Sequence, residues 1–122
     1  MTNAMLIDPE SDYEGLGSIT IDNGMISSIN GTSIGKEIDC NQALLAPGII
    51  DMGVKICEPG ERHKESFKSA SLAAATGGVT TMVTRPDTTP AIDTPEILEF
   101  FMTRAQQVSS VKIIPMAALT KN

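Results

Sequence analysis

Apolar and polar residues follow two rhythms along this chain, and the change comes at Pro47. Before it, apolar positions occur in short alternating runs broken by turn-forming residues. Ile19 and Ile21 alternate with polar neighbours, Asn23-Gly24 supplies the positive φ of a hairpin turn, and Met25 and Ile26 begin a return strand. Ala4 to Ile7 predicts an edge strand and Pro9 to Gly15 a polar loop. Ile34 to Asp39 and Ala43 to Leu45 predict a second, weaker pair of strands. Residues 1–46 thus predict a small antiparallel β unit.

After Pro47 the runs lengthen. Ile49 to Ile56 is apolar, rich in β-branched residues and framed by Pro47-Gly48 and Pro59-Gly60, the signature of a strand buried on both faces. Lys64 to Thr76 predicts a helix whose Ala and Ser residues allow close approach to a sheet, ended by Gly77-Gly78. Val79 to Thr84 is a second strand, stopped by Arg85-Pro86. Asp93 with Glu96 predicts a capping box, with Pro95 in the first turn. The helix it opens places Ile97, Leu98, Phe101, Met102, Ala105 and Val108 on one stripe. Val111 to Met116 is a third strand. The order β-α-β-α-β with short connections predicts parallel strands, as in an open doubly wound sheet or the start of a (β/α)8 barrel. A barrel takes about 250 residues, so residues 47–122 would hold less than half of one. The α/β class therefore combines a small β domain, 1–46, with a βαβαβ unit, 47–122.

Composition removes several classes of function. Fifteen acidic against nine basic residues give a net charge of −6, which offers no basic surface to nucleic acid. No apolar run approaches the roughly 20 residues of a membrane span, and the amino terminus lacks the basic-then-apolar order of a signal peptide. With two cysteines, Cys40 and Cys57, at no metal-binding spacing, reduced thiols in a cytoplasmic protein are expected. Three Phe, one Tyr and no Trp leave little for a stacking surface.

Chemistry in a parallel α/β sheet is placed at the carboxyl ends of the strands, which directs attention to Gly53 and Lys55. Here the residues resemble a family. Gly17-x-Ile-x-Ile-x-x-Gly-x-Ile, Ala46-Pro-Gly-Ile-Ile-Asp51, Glu58-Pro-Gly60, Gly77-Gly-Val-Thr-Thr81, Pro86-x-Thr-x-Pro90 and Asp93-Thr-Pro-Glu96 look like the amino-terminal third of dihydroorotase, a cyclic amidohydrolase of pyrimidine synthesis. The resemblance implies an amidohydrolase β-sandwich part followed by the first βαβαβ of a TIM barrel. It also implies zinc held by His-x-His on the first barrel strand, with an Arg two residues later and an Asn in a Pro-Asn-Thr turn holding the substrate carboxylate.

At those positions this chain has Gly53, Lys55, Cys57 and Asp87. Glycine has no donor, a protonated lysine repels a dication, Cys57 cannot pair with a carboxylate by charge, and Asp87 would repel one. No catalytic residue, no metal ligand and no cofactor is therefore expected in this chain. Lys55 is either a cation standing in for the metal or a strand-end lysine reaching solvent. His63, the single histidine, is expected in solvent between Arg62 and Lys64. Cys57 lacks a nearby base in sequence and is expected to be an inert thiol; Arg85 is expected to pair with Asp87. The reading is a non-catalytic dihydroorotase-like chain. Resemblance supplies a role for such chains, association with aspartate carbamoyltransferase in support of its assembly. The alternatives are an active amidohydrolase with its remaining ligands beyond Asn122, and a stable β unit plus βαβαβ module with no partner. Apolar strand faces built to fill a barrel are expected to make the chain self-associate or sit against the rest of the barrel or a partner.

Overall fold

The structure is a computed structural model that describes residues 1–32 and 35–120. Its elements, in order, are β1 (Ala4–Asp8), β2 (Tyr13–Gly17), β3 (Ile19–Asp22), β4 (Met25–Ile29), β5 (Leu44–Leu45), β6 (Ile49–Val54), α1 (Phe67–Thr76), β7 (Val79–Thr84), α2 (Pro95–Val108) and β8 (Lys112–Pro115). The chain divides into two compact units, Met1–Pro47 and Gly48–Asn122.

In the first unit β1 is the middle strand of a sheet ordered β2-β1-β5 and not an edge. It pairs antiparallel with β2 from Ala4↔Gly17 to Asp8↔Tyr13, and parallel with β5 through Met5↔Leu44 and Leu6↔Leu45. The expected loop at Pro9 to Gly15 therefore ends in a strand: Tyr13–Gly17 has two glycines and little apolar character, and backbone pairing with β1 decides its conformation. The parallel β5 also makes the unit mixed rather than wholly antiparallel. The second strand pair does not form among the described residues. Ile34 lies outside them, Asp39 makes one isolated parallel bridge with Thr2, and Leu44–Leu45 joins β1. The β3–β4 hairpin forms as its sequence predicts, with Asn23 at φ 49° and Gly24 at φ 78°. Among the described residues, Ala4 and Leu6 on β1 are the buried apolar residues of this unit.

The second unit is a parallel sheet ordered β6-β7-β8 whose helices contact β7 and β8. Ile56, Phe67, Ala70, Met82, Ile92, Phe101 and Ala105 form its buried cluster, joined by Val54, Val79, Ile97, Leu98, Val108 and Ile113. Phe67 from α1 and Phe101 from α2 meet edge to face, centroids 4.6 Å apart and planes at 89°. Both helix starts differ from expectation. Ser66 caps α1, which starts at Phe67, three residues after the predicted start: its hydroxyl accepts from Ser69 N–H while the Ser69 hydroxyl accepts from Ser66 N–H. Thr94, not Asp93, caps α2 by accepting from Ile97 N–H, because Pro95 occupies the first helical position and sets the start one residue later.

β6 departs most from its sequence. Burial on both faces is expected, yet Ile49, Ile50 and Met52 are 55%, 61% and 69% exposed. β6 is an edge strand, and the helices fill only the side of the sheet that carries Met82. Met102 on α2 is also 45% exposed, since Phe101 and Ala105 take the centre of the helix face. Thr84, wholly buried at the end of β7, has a hydroxyl with no hydrogen-bond partner among the described residues.

Candidate functional site

The carboxyl ends of β6 and β7 are tied together by the backbone, Arg85 N–H donating to the Val54 carbonyl at 2.9 Å. That pairing sets Lys55 and Arg85 side by side as each chain leaves its strand. Pro86 and the loop after it bring Asp87 back between them. Lys55 Nζ donates to Asp87 Oδ2 at 3.3 Å, and Arg85 Nη2 donates to the same oxygen at 2.8 Å. The three side chains are about half exposed, 49%, 53% and 39% for Lys55, Arg85 and Asp87. Partial desolvation pushes the Asp87 carboxyl up, but the Lys55 hydrogen bond and the Arg85 and Lys55 charges outweigh it and hold the group below the usual aspartate range.

Gly53 lies in a β-bulge between Met52 and Val54, with φ at +102° and open space where a Cβ would stand. Cys57 is a half-buried free thiol and His63 is exposed. Of the four positions marked by the resemblance, the structure therefore joins Lys55 and Asp87 directly, and it adds Arg85.

Zinc, the metal the resemblance implies, does not fit this donor set. Gly53 presents no side chain, the Lys55 ammonium is already engaged with a carboxylate, and among the described residues no three His, Cys, Asp or Glu side chains converge on one point. A zinc site needs about four ligands that can donate a lone pair.

Just beyond Cys57 lies a residue whose weight the sequence conceals. Glu58 is 5% exposed although charged. Its Oε2 accepts from Phe67 N–H at 3.0 Å at the start of α1, and its Oε1 accepts from Arg104 Nε of α2 at 3.1 Å. Arg62 Nε approaches the same oxygen at 3.7 Å. Glu58 thus fixes the loop that leaves the site to both helices. The partner 46 residues away gives no local signal, and the one sequence clue is a carboxylate beside a Pro-Gly turn in an otherwise apolar run. Gly60 completes the turn: a Cβ there would stand 2.2 Å from the Thr89 carbonyl oxygen. No helix among the described residues is long and apolar enough to cross a membrane.

A family model described as "Dihydro-orotase-like" matches residues 42–122. The chain is 38% identical over 124 residues to a dihydroorotase of a Wolbachia strain from Drosophila simulans, covering 98% of this chain and 28% of that one. It is 37% identical over 122 residues to a dihydroorotase-like protein of Pseudomonas aeruginosa, covering 97% and 29% respectively. Among solved structures it is similar to the L-hydantoinase (dihydropyrimidinase) of Arthrobacter aurescens. The TM-score is 0.78 at 22% identity, over 95% of this chain and 26% of the other, a likeness of fold. The chain spans less than a third of the length of these proteins.

Proposed function

This chain belongs to the dihydroorotase-like family, and from that premise we propose that it is the amino-terminal part of a non-catalytic dihydroorotase-like protein of pyrimidine biosynthesis. The observation that carries the reading is the Lys55–Asp87 contact at 3.3 Å. It joins a metal-ligand position to a substrate-carboxylate position of the family, with chemistry suited to neither. A cation there excludes a second cation, and an anion there opposes a bound carboxylate. Gly53 presents no side-chain donor at the other metal-ligand position of the family.

The direct test is metal and turnover on the full-length protein that carries this segment. Elemental analysis after dialysis is expected to show no stoichiometric zinc, and dihydroorotate is expected to remain unhydrolysed. About one zinc per chain, or turnover abolished by a chelator, would establish the second reading, an active cyclic amidohydrolase using ligands from other segments. That reading draws on the 38% identity to a dihydroorotase, as high as the identity to the dihydroorotase-like protein.

The fold part of the reading treats β6-α1-β7-α2-β8 as the first three strands and two helices of a (β/α)8 barrel. Ile50 and Met52, exposed here, would then face its interior. A family fold without its chemistry can still serve through its surface, and the role we assign is support of aspartate carbamoyltransferase assembly. Light scattering tests both statements. The 122-residue chain alone is expected to exceed a monomer mass at micromolar concentration, and the full-length protein to co-elute with aspartate carbamoyltransferase. A monodisperse monomer that binds no hydrophobic dye would refute the first, and separate elution at micromolar concentrations the second.

A further inference from the structure

Asparagine is followed by glycine twice in this chain, at Asn23-Gly24 and Asn30-Gly31. The first pair forms the turn of the β3–β4 hairpin and the second follows the end of β4. An asparagine in this setting is open to attack by its own backbone, because glycine leaves the next nitrogen without a side chain to shield it. Both asparagines are exposed and both have positive φ, 49° at Asn23 and 56° at Asn30. Their carboxamides are held very differently. Asn30 Oδ1 accepts from Ser18 N–H at 2.9 Å, Asn30 Nδ2 donates to the Tyr13 hydroxyl at 3.3 Å, and Asn30 N–H donates to the Ser18 carbonyl at 2.8 Å. Gly17 leaves room for this arrangement, since a Cβ there would stand 2.5 Å from Asn30 Oδ1. The Asn23 carboxamide has no hydrogen-bond partner among the described residues, and nothing lies within 4 Å of where a Cβ on Gly24 would stand. The turn also closes a sheet of two strands, β3 and β4, an arrangement with little stability of its own. Local opening there takes little free energy.

We propose that Asn23 is a site of spontaneous modification, converting through a succinimide to aspartate and isoaspartate, and that Ser18 and Tyr13 shield Asn30 from the same reaction. Solvent hydroxide removes the Gly24 amide proton, and the Gly24 nitrogen bonds to Asn23 Cγ. The Cγ–Nδ2 bond breaks, and the leaving nitrogen takes a proton from water and departs as ammonia. Water then opens the ring at either carbonyl, with no oxidant or reductant involved. Opening at the main-chain carbonyl leaves a backbone that runs through Cβ and Cγ and is one atom longer. A two-residue turn that pairs Asp22 with Met25 has no place for that atom, so the hairpin loosens. Either product also sets a new negative charge beside Asp22. The site lies in the first unit, away from Lys55 and Asp87, and does not depend on the proposed function.

The test holds the full-length protein that carries this segment at mildly alkaline pH for weeks, folded and in urea. Peptide mass spectrometry follows amide loss at each asparagine, with isoaspartate separated from aspartate by chromatography. In the folded protein Asn23 is expected to convert at least about tenfold faster than Asn30, the factor for two net hydrogen bonds that must open first. In urea the two are expected to convert at similar rates. Tyr13→Phe removes one of the bonds on Asn30 and is expected to speed its conversion while leaving Asn23 unchanged. Asn23→Gly keeps a turn residue that accepts positive φ and is expected to leave the hairpin unaltered on storage. Conversion of Asn30 as fast as Asn23 in the folded protein overturns the proposal, as does an Asn23 that stays intact there while it converts in urea. A rate ratio that persists unchanged in urea overturns the shielding, because it would then belong to the neighbouring sequence alone.

Discussion

Phe101→Ala is expected to lower the unfolding free energy of the second unit by about 4 kcal/mol, within the range of phenylalanine truncations in packed cores. Phe101 is wholly buried and meets Phe67 edge to face at 4.6 Å, so the change removes an aromatic pair as well as apolar area. Ala70 and Ala105 belong to the same buried cluster, and side chains that small cannot fill the gap. A domain's whole stability is only about 5–15 kcal/mol, so the variant should stand near the edge of folding at ambient temperature. Urea denaturation followed by circular dichroism measures the loss. Phe100→Ala is the control: that ring is 54% exposed on the same helix and should change stability by less than about 1 kcal/mol. Equal losses from the two variants would mean that α2 does not pack as described.

Glu58→Ala is expected to cost about 2–3 kcal/mol, less than the full penalty for breaking a buried ion pair because the Arg104 side chain keeps 27% exposure. Two groups lose their partner at once, the Phe67 N–H at the first turn of α1 and the Arg104 guanidinium on α2. Glu58→Gln keeps an acceptor for Phe67 but loses the charge facing Arg104, and it should fall between wild type and alanine. A cycle with Arg104→Ala isolates the pair, and coupling of about 1 kcal/mol or more is expected. If alanine costs under about 0.5 kcal/mol, Glu58 does not join the helices to the site loop.

How much of this could be read from residues alone depends on how local the deciding force is. Asn23-Gly24 specifies its hairpin because both residues accept positive φ, and Val79–Thr84 appears with its expected limits because β-branching and flanking turns agree. Tyr13–Gly17 is a strand only because β1 lies beside it, information that its own composition does not contain. The starts of α1 and α2 move by three residues and by one because short-range hydroxyl geometry, at Ser66 and Thr94, decides where each helix begins. At the site, residue types at 53 and 55 already argue against the family's metal binding, and those at 57 and 87 against its carboxylate binding. The pairing of Lys55 with Asp87 across 32 residues, and of Glu58 with Arg104 across 46, are facts of the folded chain.

Gly53 bears on whether a histidine could stand at the family's metal-ligand position. Its φ of +102° belongs to backbone that L side chains rarely adopt, although nothing stands where a Cβ would go. A histidine at 53 would therefore meet no steric wall, yet would carry a backbone penalty of about 1–3 kcal/mol unless the bulge between Met52 and Val54 flattened first. Flattening it shifts the register of β6 by one residue, which turns the side chains beyond it to opposite faces. Lys55 would then leave Asp87, and Val54 would leave the core. A histidine at 53 thus asks for several coordinated changes in β6, and the bulge makes a single substitution there insufficient.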